Sequence, residues 1–549
     1  MRISRLVCGP LAGVLGSLAG TAALAQTPSP AAPPTPTFGE RVEVRVVNVE
    51  VVVTDGHGLR VGGLAPADFR LKVDGREVPI EYFTEVRGGD AVAPSGEAPR
   101  GEVQDLPSVA AGSPVGTSYL VFLDNYFAFA PNRDEALRNL KADLGRLGPE
   151  DRMAIVAYDG RKLAMLASWT RSPAELGRAI DEAIRLPALG LQRRGELSAY
   201  EAVRRSGGRR FGGDRGFDQL NTEELPFARR LAEQVGHSVD AAVVTMRSFA
   251  SPPGRKVMLL LAGGWPYSPA DYVVDNGRRP ILGMEVPTGE KLFRPLDDTA
   301  NLLGYTIYPV DAQGLEDSPV DAGRDRPADG FSVRPTQLRA TLLTVAEETG
   351  GQPILAGHHD SALAIAAADT RSYYWIGFTP AFRRDDARHK LAVEVGKPGL
   401  AVRARADYLD LSRRGEATMT VESAMLFGNA PGGPRLPVEV GAAVSSGWHQ
   451  IDVPLSVAIP VAGVTFVPLE GKYVAELDLR VAALDKDGHR SDIPAVPVKL
   501  TLDRQPEAGK YISYKTTIRL RKIDQRLTLA IVDRLSENVL TATKEVKGR

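Results

Sequence analysis

One cysteine serves 549 residues, and Cys8 lies ahead of the first apolar run. Beyond that point no disulfide and no cysteine-ligated metal can form, so the fold must rest on its apolar cores. Charge of one sign is lacking too. The chain has 67 basic and 68 acidic residues and a formal net charge of −1, which argues against a nucleic-acid partner. No second run of about twenty apolar residues follows the first, so nothing further along reads as a membrane span. The usual catalytic signatures are missing: no G-x-S-x-G elbow, no H-E-x-x-H, no phosphate loop and no dinucleotide fingerprint.

What is there is globular in composition, 43% hydrophobic and 25% charged, and long enough for about three or four domains. Arg2 and Arg5, an apolar run over residues 11–24 and "ALAQ" at its end make residues 1–25 a signal peptide. The expectation is export to the periplasm or the outside, with no transmembrane anchor after cleavage. Residues 26–40 are a Pro-rich tether. Residues 41–86 alternate apolar and polar with period two, broken by Asp55-Gly56 and Asp74-Gly75, and predict a small β-domain. Residues 87–117 read as a linker.

From Ser118 strands alternate with helices. "YLVFLD", "DRMAIVAYD", "KVMLLLAGG" and "YTIYPVDA" are strand runs, three of them near-continuously apolar, and Ser172-Pro173 opens a helix as cap and first residue. Asn132 is placed to cap the helix after "YLVFLD". Residues 118–411 are therefore expected to be α/β, a doubly wound, mostly parallel sheet closed by strands over 373–408. An arginine-rich insertion at about 187–230, with seven arginines and four acids between Leu191 and Leu220, reads as a solvated loop. Residues 415–549 lose the helical period and predict an antiparallel β-sandwich, Ile518 and Leu520 inward and Arg519 and Arg521 outward.

Histidine chemistry is thin. His358-His359-Asp360 reads as a helix start more than a metal site, and "DKDGHRSD" at 485–492 as a hairpin turn more than a calcium loop. The acid that ends a buried strand, Asp124, is the remaining candidate. From Arg41 to about Tyr408 the order of "VVVTDGHGLRVGGLAPADFRLKVDG", "YLVFLDN", "DRMAIVAYDG", "KVMLLLAGGWP" and "YYWIGFTPA…HKLAVEVGKPGLAVRARADY" resembles the bacterial, acidobacterial-type von Willebrand factor type A (VWFA)-related proteins. The resemblance implies a VWA or Rossmann-like sheet and a metal-ion-dependent adhesion site. There an Asp-x-Ser-x-Ser run, a distant Thr and a further Asp hold a divalent ion. Asp124 matches the first ligand, but Tyr126 and Ala128 stand where the serines belong, and Ala262-Gly263 where an Asp-Gly belongs.

One carboxylate without hydroxyl partners is a poor Mg²⁺ site, so the expectation is no metal and no cofactor, with Mg²⁺ as the alternative. Asp124 is then expected to cap the next helix or to pair with Arg133; Asp159 and Asp311 also stand at strand ends and would supplement it if the sheet brought them together. The function this suggests is non-enzymatic: an exported protein-interaction module with a degenerate metal site and an unidentified envelope or extracellular partner. Asp124, Asn125, Tyr126, Phe127, Phe129, Trp265 and Tyr267 are its candidate contact residues. Burial of those aromatic rings beneath the arginine-rich insertion is the competing expectation. Other readings are a cation-dependent adhesion protein with non-standard ligands, an envelope hydrolase with an unrecognised site, and a structural spacer.

Overall fold

The structure is a computed structural model. It describes residues 46–92, 112–210, 215–249, 254–263, 265–274, 286–312, 334–355, 361–380, 383, 385–412, 415, 436–485, 490–507, 509–536 and 538–548; for 204–210, 215–223, 334–335 and 490–495 it describes the backbone alone. The signal-peptide and tether segments, the His358-His359-Asp360 cluster and the Asp487-Gly488 turn lie outside the described residues.

Five strands come first: β1 (Val47–Thr54), β2 (Phe69–Val73), β3 (Arg76–Val78), β4 (Tyr82–Arg87) and β5 (Asp90–Ala91). Next are β6 (Thr117–Asp124), α1 (Ala130–Ala142), β7 (Arg152–Tyr158), β8 (Leu163–Thr170), α2 (Pro173–Arg185), α3 (Gly190–Arg210) and α4 (Arg215–Ser248). They are followed by β9 (Arg255–Ala262), α5 (Pro269–Val274), α6 (Gly289–Leu303), β10 (Tyr305–Asp311), α7 (Arg334–Thr349) and α8 (Ala362–Thr370). Then come β11 (Ser372–Phe378), β12 (Ala387–Val395), β13 (Ala401–Arg403) and β14 (Asp407–Asp410). The C-terminal strands are β15 (Val438–Val440), β16 (Val444–Ser445), β17 (Gln450–Pro460), β18 (Val467–Leu469), β19 (Lys472–Asp485), β20 (Arg490–Leu502), β21 (Tyr511–Arg521), β22 (Gln525–Asp533) and β23 (Val539–Val546).

The expected class, a doubly wound and mostly parallel α/β fold, is overturned. Among the described residues strands (41%) outweigh helices (31%), and antiparallel sheets predominate. Parallel pairing is confined to one mixed sheet, ordered β10-β9-β6-β7-β8, in which β8 runs antiparallel. Its inner strands β6, β7 and β9 are buried on both faces because helices cover both. Leu120, Phe122 and Leu260 pack with α4 and α6, while Val121, Leu123 and Leu259 pack with α1, α2 and α8.

The segment expected to form a small N-terminal β-domain has no sheet of its own. β1 lies between β11 and β13, β4 pairs with β11, and β2 pairs with β12, all antiparallel. Alternating apolar residues such as Val49, Val51, Leu71 and Ile376 fill one shared core. Local pairing is limited to the turn after β1, the β4–β5 contact and the β2–β3 hairpin, where Asp74 and Gly75 stand at φ +50° and +78° as a tight connection requires. Buried polar groups fix these strands to the mixed sheet. Glu50 of β1 pairs with Arg255 of β9 at 3.2 Å, and the Arg255 guanidinium lies 4.1 Å from the ring centre of Tyr373. Asp369 of α8 accepts from Arg60, from Arg403 at 2.6 Å and from the Tyr308 hydroxyl at 2.7 Å.

The arginine-rich insertion is not the expected loop: α3 and the start of α4 run through it. In the C-terminal region two antiparallel sheets, one around β17 and one around β19, share one apolar cluster. Ile518 and Leu520 point into it, as the alternation of β21 requires, while Arg519 is exposed.

Candidate functional site

Asp124 ends β6 at the edge where its parallel neighbours β7 and β9 also end. All eight residues of β6 are buried, and the acid is no exception: Asp124 is 0% exposed. Its Oδ2 accepts the indole N–H of Trp265 at 2.5 Å, and its Oδ1 accepts the backbone N–H of Tyr126 at 3.0 Å. The buried Ser238 hydroxyl of α4, which meets no partner at hydrogen-bond geometry among the described residues, lies close enough to help offset the burial of that carboxylate. Burial outweighs these donors, and the Asp124 carboxyl is pushed up to about 6.

Trp265 follows β9, is 3% exposed, and stacks on Phe293 of α6 at 6.1 Å between ring centres and 6° between planes. Mg²⁺ needs near-octahedral oxygen ligation and keeps several waters. Here a donor indole stands against the one carboxylate and no serine hydroxyl occupies positions 126 or 128, so the residues present do not fit that ion. Asp159 instead accepts from the N–H groups of Arg161 and Lys162 in its own turn. Among the described residues no group of three acids or histidines forms around Asp124.

Asp124 neither caps α1 nor meets Arg133. The helix opens at Ala130 after Phe129, with no side-chain cap, and Asn132 is already inside it. Arg133 is buried and donates to Asn125 Oδ1 at 2.8 Å, to Asp134 at 2.9 Å and to the Ile184 carbonyl at 3.2 Å. It locks α1 to the strand end through Asn125, the residue next to the expected one.

The aromatic contact surface expected over this strand end is not formed. Phe127 is 5% and Phe129 9% exposed, and Asn125 is buried. The start of the insertion is bonded to the backbone of the same turn. Leu189 N–H donates to the Asn125 carbonyl at 2.7 Å and Gly190 N–H to the Ala128 carbonyl at 3.0 Å. A Cβ on residue 190 would meet that carbonyl oxygen at 2.5 Å, so only glycine allows the approach. Tyr126 is part-buried. Its ring lies against Gly160, at φ +91°, where a Cβ would come within 2.2 Å of it. Its hydroxyl accepts from Arg193 at 2.7 Å, and the same guanidinium lies 4.6 Å from the ring centre. Tyr267 is part-buried over Gly289 and Phe293.

Two other groups of ionisable residues were not anticipated. Ligand atoms of Asp385, His389 and Asp410 lie within 4.8 Å of one another. His389 Nδ1 is 2.7 Å from Asp74 Oδ2, Asp410 accepts the Arg383 N–H at 2.6 Å, and the His389 ring stacks on Tyr408. "RRDDARHK" carries no ligand spacing that would have flagged them, because β12 and β14 bring them together. Separately, Asp297 and Asp298 of α6, Glu348 of α7 and Asp407 of β14 surround Arg388 of β12. Burial, then Glu348, raise Asp297 well above the usual carboxylate range.

No family profile matches the chain, and no curated protein matches it. Among solved structures, the pilus adhesin SpaC from Lactobacillus rhamnosus GG aligns at 10% identity over 87% of this chain and 61% of its own, with a TM-score of 0.26. The chain thus spans about three-fifths of that adhesin's length. A structural-genomics target, SoR45, aligns at 16% identity over 21% of this chain and 85% of its own, with a TM-score of 0.15. At such scores neither likeness carries an argument about fold or function.

Proposed function

We propose that the chain is an exported, non-enzymatic protein-interaction module, related through its sequence motifs to the VWFA-related proteins, that works without a metal ion at the end of β6. The observation that carries the metal-free reading is the Trp265–Asp124 bond, which puts an indole N–H against the one carboxylate matching the adhesion-site motif. Export rests on the N-terminal segment alone. Because Phe127, Phe129 and Trp265 are buried, they are not the recognising residues. The part-buried Tyr126, braced by Arg193, and the exposed Arg161 beside it are the groups at this strand end that a protein partner can reach.

Chemical cross-linking in the native envelope, read by mass spectrometry, tests this. A recurrent partner linked near Arg161 or Arg193, and lost in Tyr126→Ala with the Tm kept, is the expected result. Links that scatter over the whole surface would sink the interaction reading and leave a spacer.

Dependence on a divalent cation is a second reading, favoured by the Asp385–His389–Asp410 group, since imidazole with carboxylates suits Zn²⁺ or Mn²⁺. It expects either ion to raise the Tm and His389→Ala to remove the rise; no shift at millimolar ion ends it.

A further inference from the structure

A strand at the edge of a sheet presents unpaired N–H and C=O groups, and folded proteins shorten, break or cover such edges. Among the described residues the C-terminal sheets do this, in whole or in part, at every edge but one. β15, β16 and β18 have three residues or fewer. β20 carries Pro494 and Pro497 and a register shift opposite Leu479–Val481. β23 is met by Leu436, whose N–H donates to the Thr541 carbonyl at 3.0 Å. β21 has 11 residues, no proline and no bulge, and among the described residues it pairs with β17 alone.

Which groups face the open side follows from the ends of the β17–β21 ladder. Lys522 N–H donates to the His449 carbonyl at 2.8 Å, and Val461 N–H to the Lys510 carbonyl at 2.9 Å. Even-numbered residues of β21 therefore turn their backbone groups toward β17. Tyr511, Ser513, Lys515, Thr517 and Arg519 turn theirs outward, and Arg521 its N–H, its carbonyl being taken by the Ile523 N–H at 2.9 Å and by Gln525 Nε2 at 2.6 Å. Side chains alternate in the same phase, so Ile512, Tyr514, Ile518 and Leu520 lie on the core face and the odd-numbered residues on the outer face.

We propose that β21 pairs with the β21 of a second copy of this chain, antiparallel about a two-fold axis through Thr516. This register uses the whole strand. On the core face it sets Tyr514 against Ile518 and Ile512 against Leu520. On the outer face it sets Lys515 against Thr517, Arg519 against Ser513, and Arg521, whose guanidinium stays on Asp485 at 3.1 Å, beside Tyr511. The alternatives that keep core residues on the core face fail. An axis at Lys515 places that lysine on itself, and axes at Thr517 or Ile518 place Lys515 opposite Arg519 or Arg521. An axis at Tyr514 leaves the last third of the strand unpaired. At Thr516 like charges meet only on the diagonal, where solvent screens them. The pairing is isologous and closes, as a two-fold dimer requires. It rests on β21 alone and stands apart from the strand-end reading above.

Sedimentation equilibrium of the full chain, from low to high micromolar concentration, is the test. A reversible dimer is expected. Thr517→Pro removes a donor from the open side without touching the β17 ladder and should leave a monomer of unchanged Tm. Thr517→Glu sets an acid against the second copy's Lys515 twice per dimer and should tighten it by about two- to thirty-fold, while Thr517→Lys loosens it by a similar factor. A wild-type chain that stays monomeric overturns the proposal, as does a Thr517→Pro dimer as strong as wild type. Should the proline variant not fold, equal effects of Glu and Lys would overturn the register.

Discussion

Asp124 and Asp369 are both fully buried, and they are kept there by opposite means. Asp124 is held by neutral donors, an indole and a backbone amide. Asp369 is held by two guanidiniums and a phenol. The first arrangement tolerates a proton and gains little from the charge. The second needs the charge, because without it Arg60 and Arg403 would face one another in a buried space. Asp124 closes one end of a sheet. Asp369 ties α8 to strands from both ends of the chain's first four hundred residues.

The difference sets the order in which substitutions should hurt. Asp369→Ala leaves two cations uncompensated and should cost about 3–5 kcal/mol, read as a lowered denaturation midpoint with unchanged slope. A cost near that of an exposed ion pair would show that the clamp is not tight. The pH dependence comes next. Below the ordinary carboxylate value of 3.8 both native and unfolded chains hold the Asp124 proton, and its contribution is complete. Between there and about 6 the unfolded chain releases the proton first, so stability falls with rising pH, by on the order of 3 kcal/mol. Asp124→Asn should flatten that window in a urea titration repeated at several pH values. Asp297, raised by burial and then by Glu348, adds a contribution of the same sign, lost as pH rises.

Trp265→Phe keeps the stacking on Phe293 but orphans Asp124 Oδ2, and should cost about 1–3 kcal/mol. It should also raise the Asp124 pKa, since a donor to the charged form is lost, shifting the pH window upward by titration. The smallest effect separates the strand end from the adhesion site it resembles. If metal binding were retained at Asp124, Mg²⁺ would raise the Tm in wild type and not in Asp124→Ala; the expected shift is none in either.

The local grammar was legible and the long-range pairing was not. "YLVFLD" and "KVMLLLAGG" are buried strands, and Ser172 caps α2 at Pro173 by accepting the Glu175 N–H, because those signals act over a few residues. The alternation in β1 says that one face is buried but not which strand covers it, and β11 and β13 lie more than three hundred residues away. Hence a segment that looked like a small domain is one half of a shared layer. The strand-end aromatics misled for a related reason. Leu189 and Gly190 bond to the backbone of their turn, and a glycine announces a close approach without saying to what. Trp265 meets Asp124 across 141 residues, through a side chain that no metal-site motif includes.

That shared layer also sets a clock. Arg60 meets Asp369 only after 309 further residues have been made. At the usual 5–20 residues per second the opening strands wait roughly 15–60 s for their partners. During that wait their apolar alternation is an exposed edge, so the growing chain has a long interval in which it remains pliable and must be kept from pairing with its neighbours.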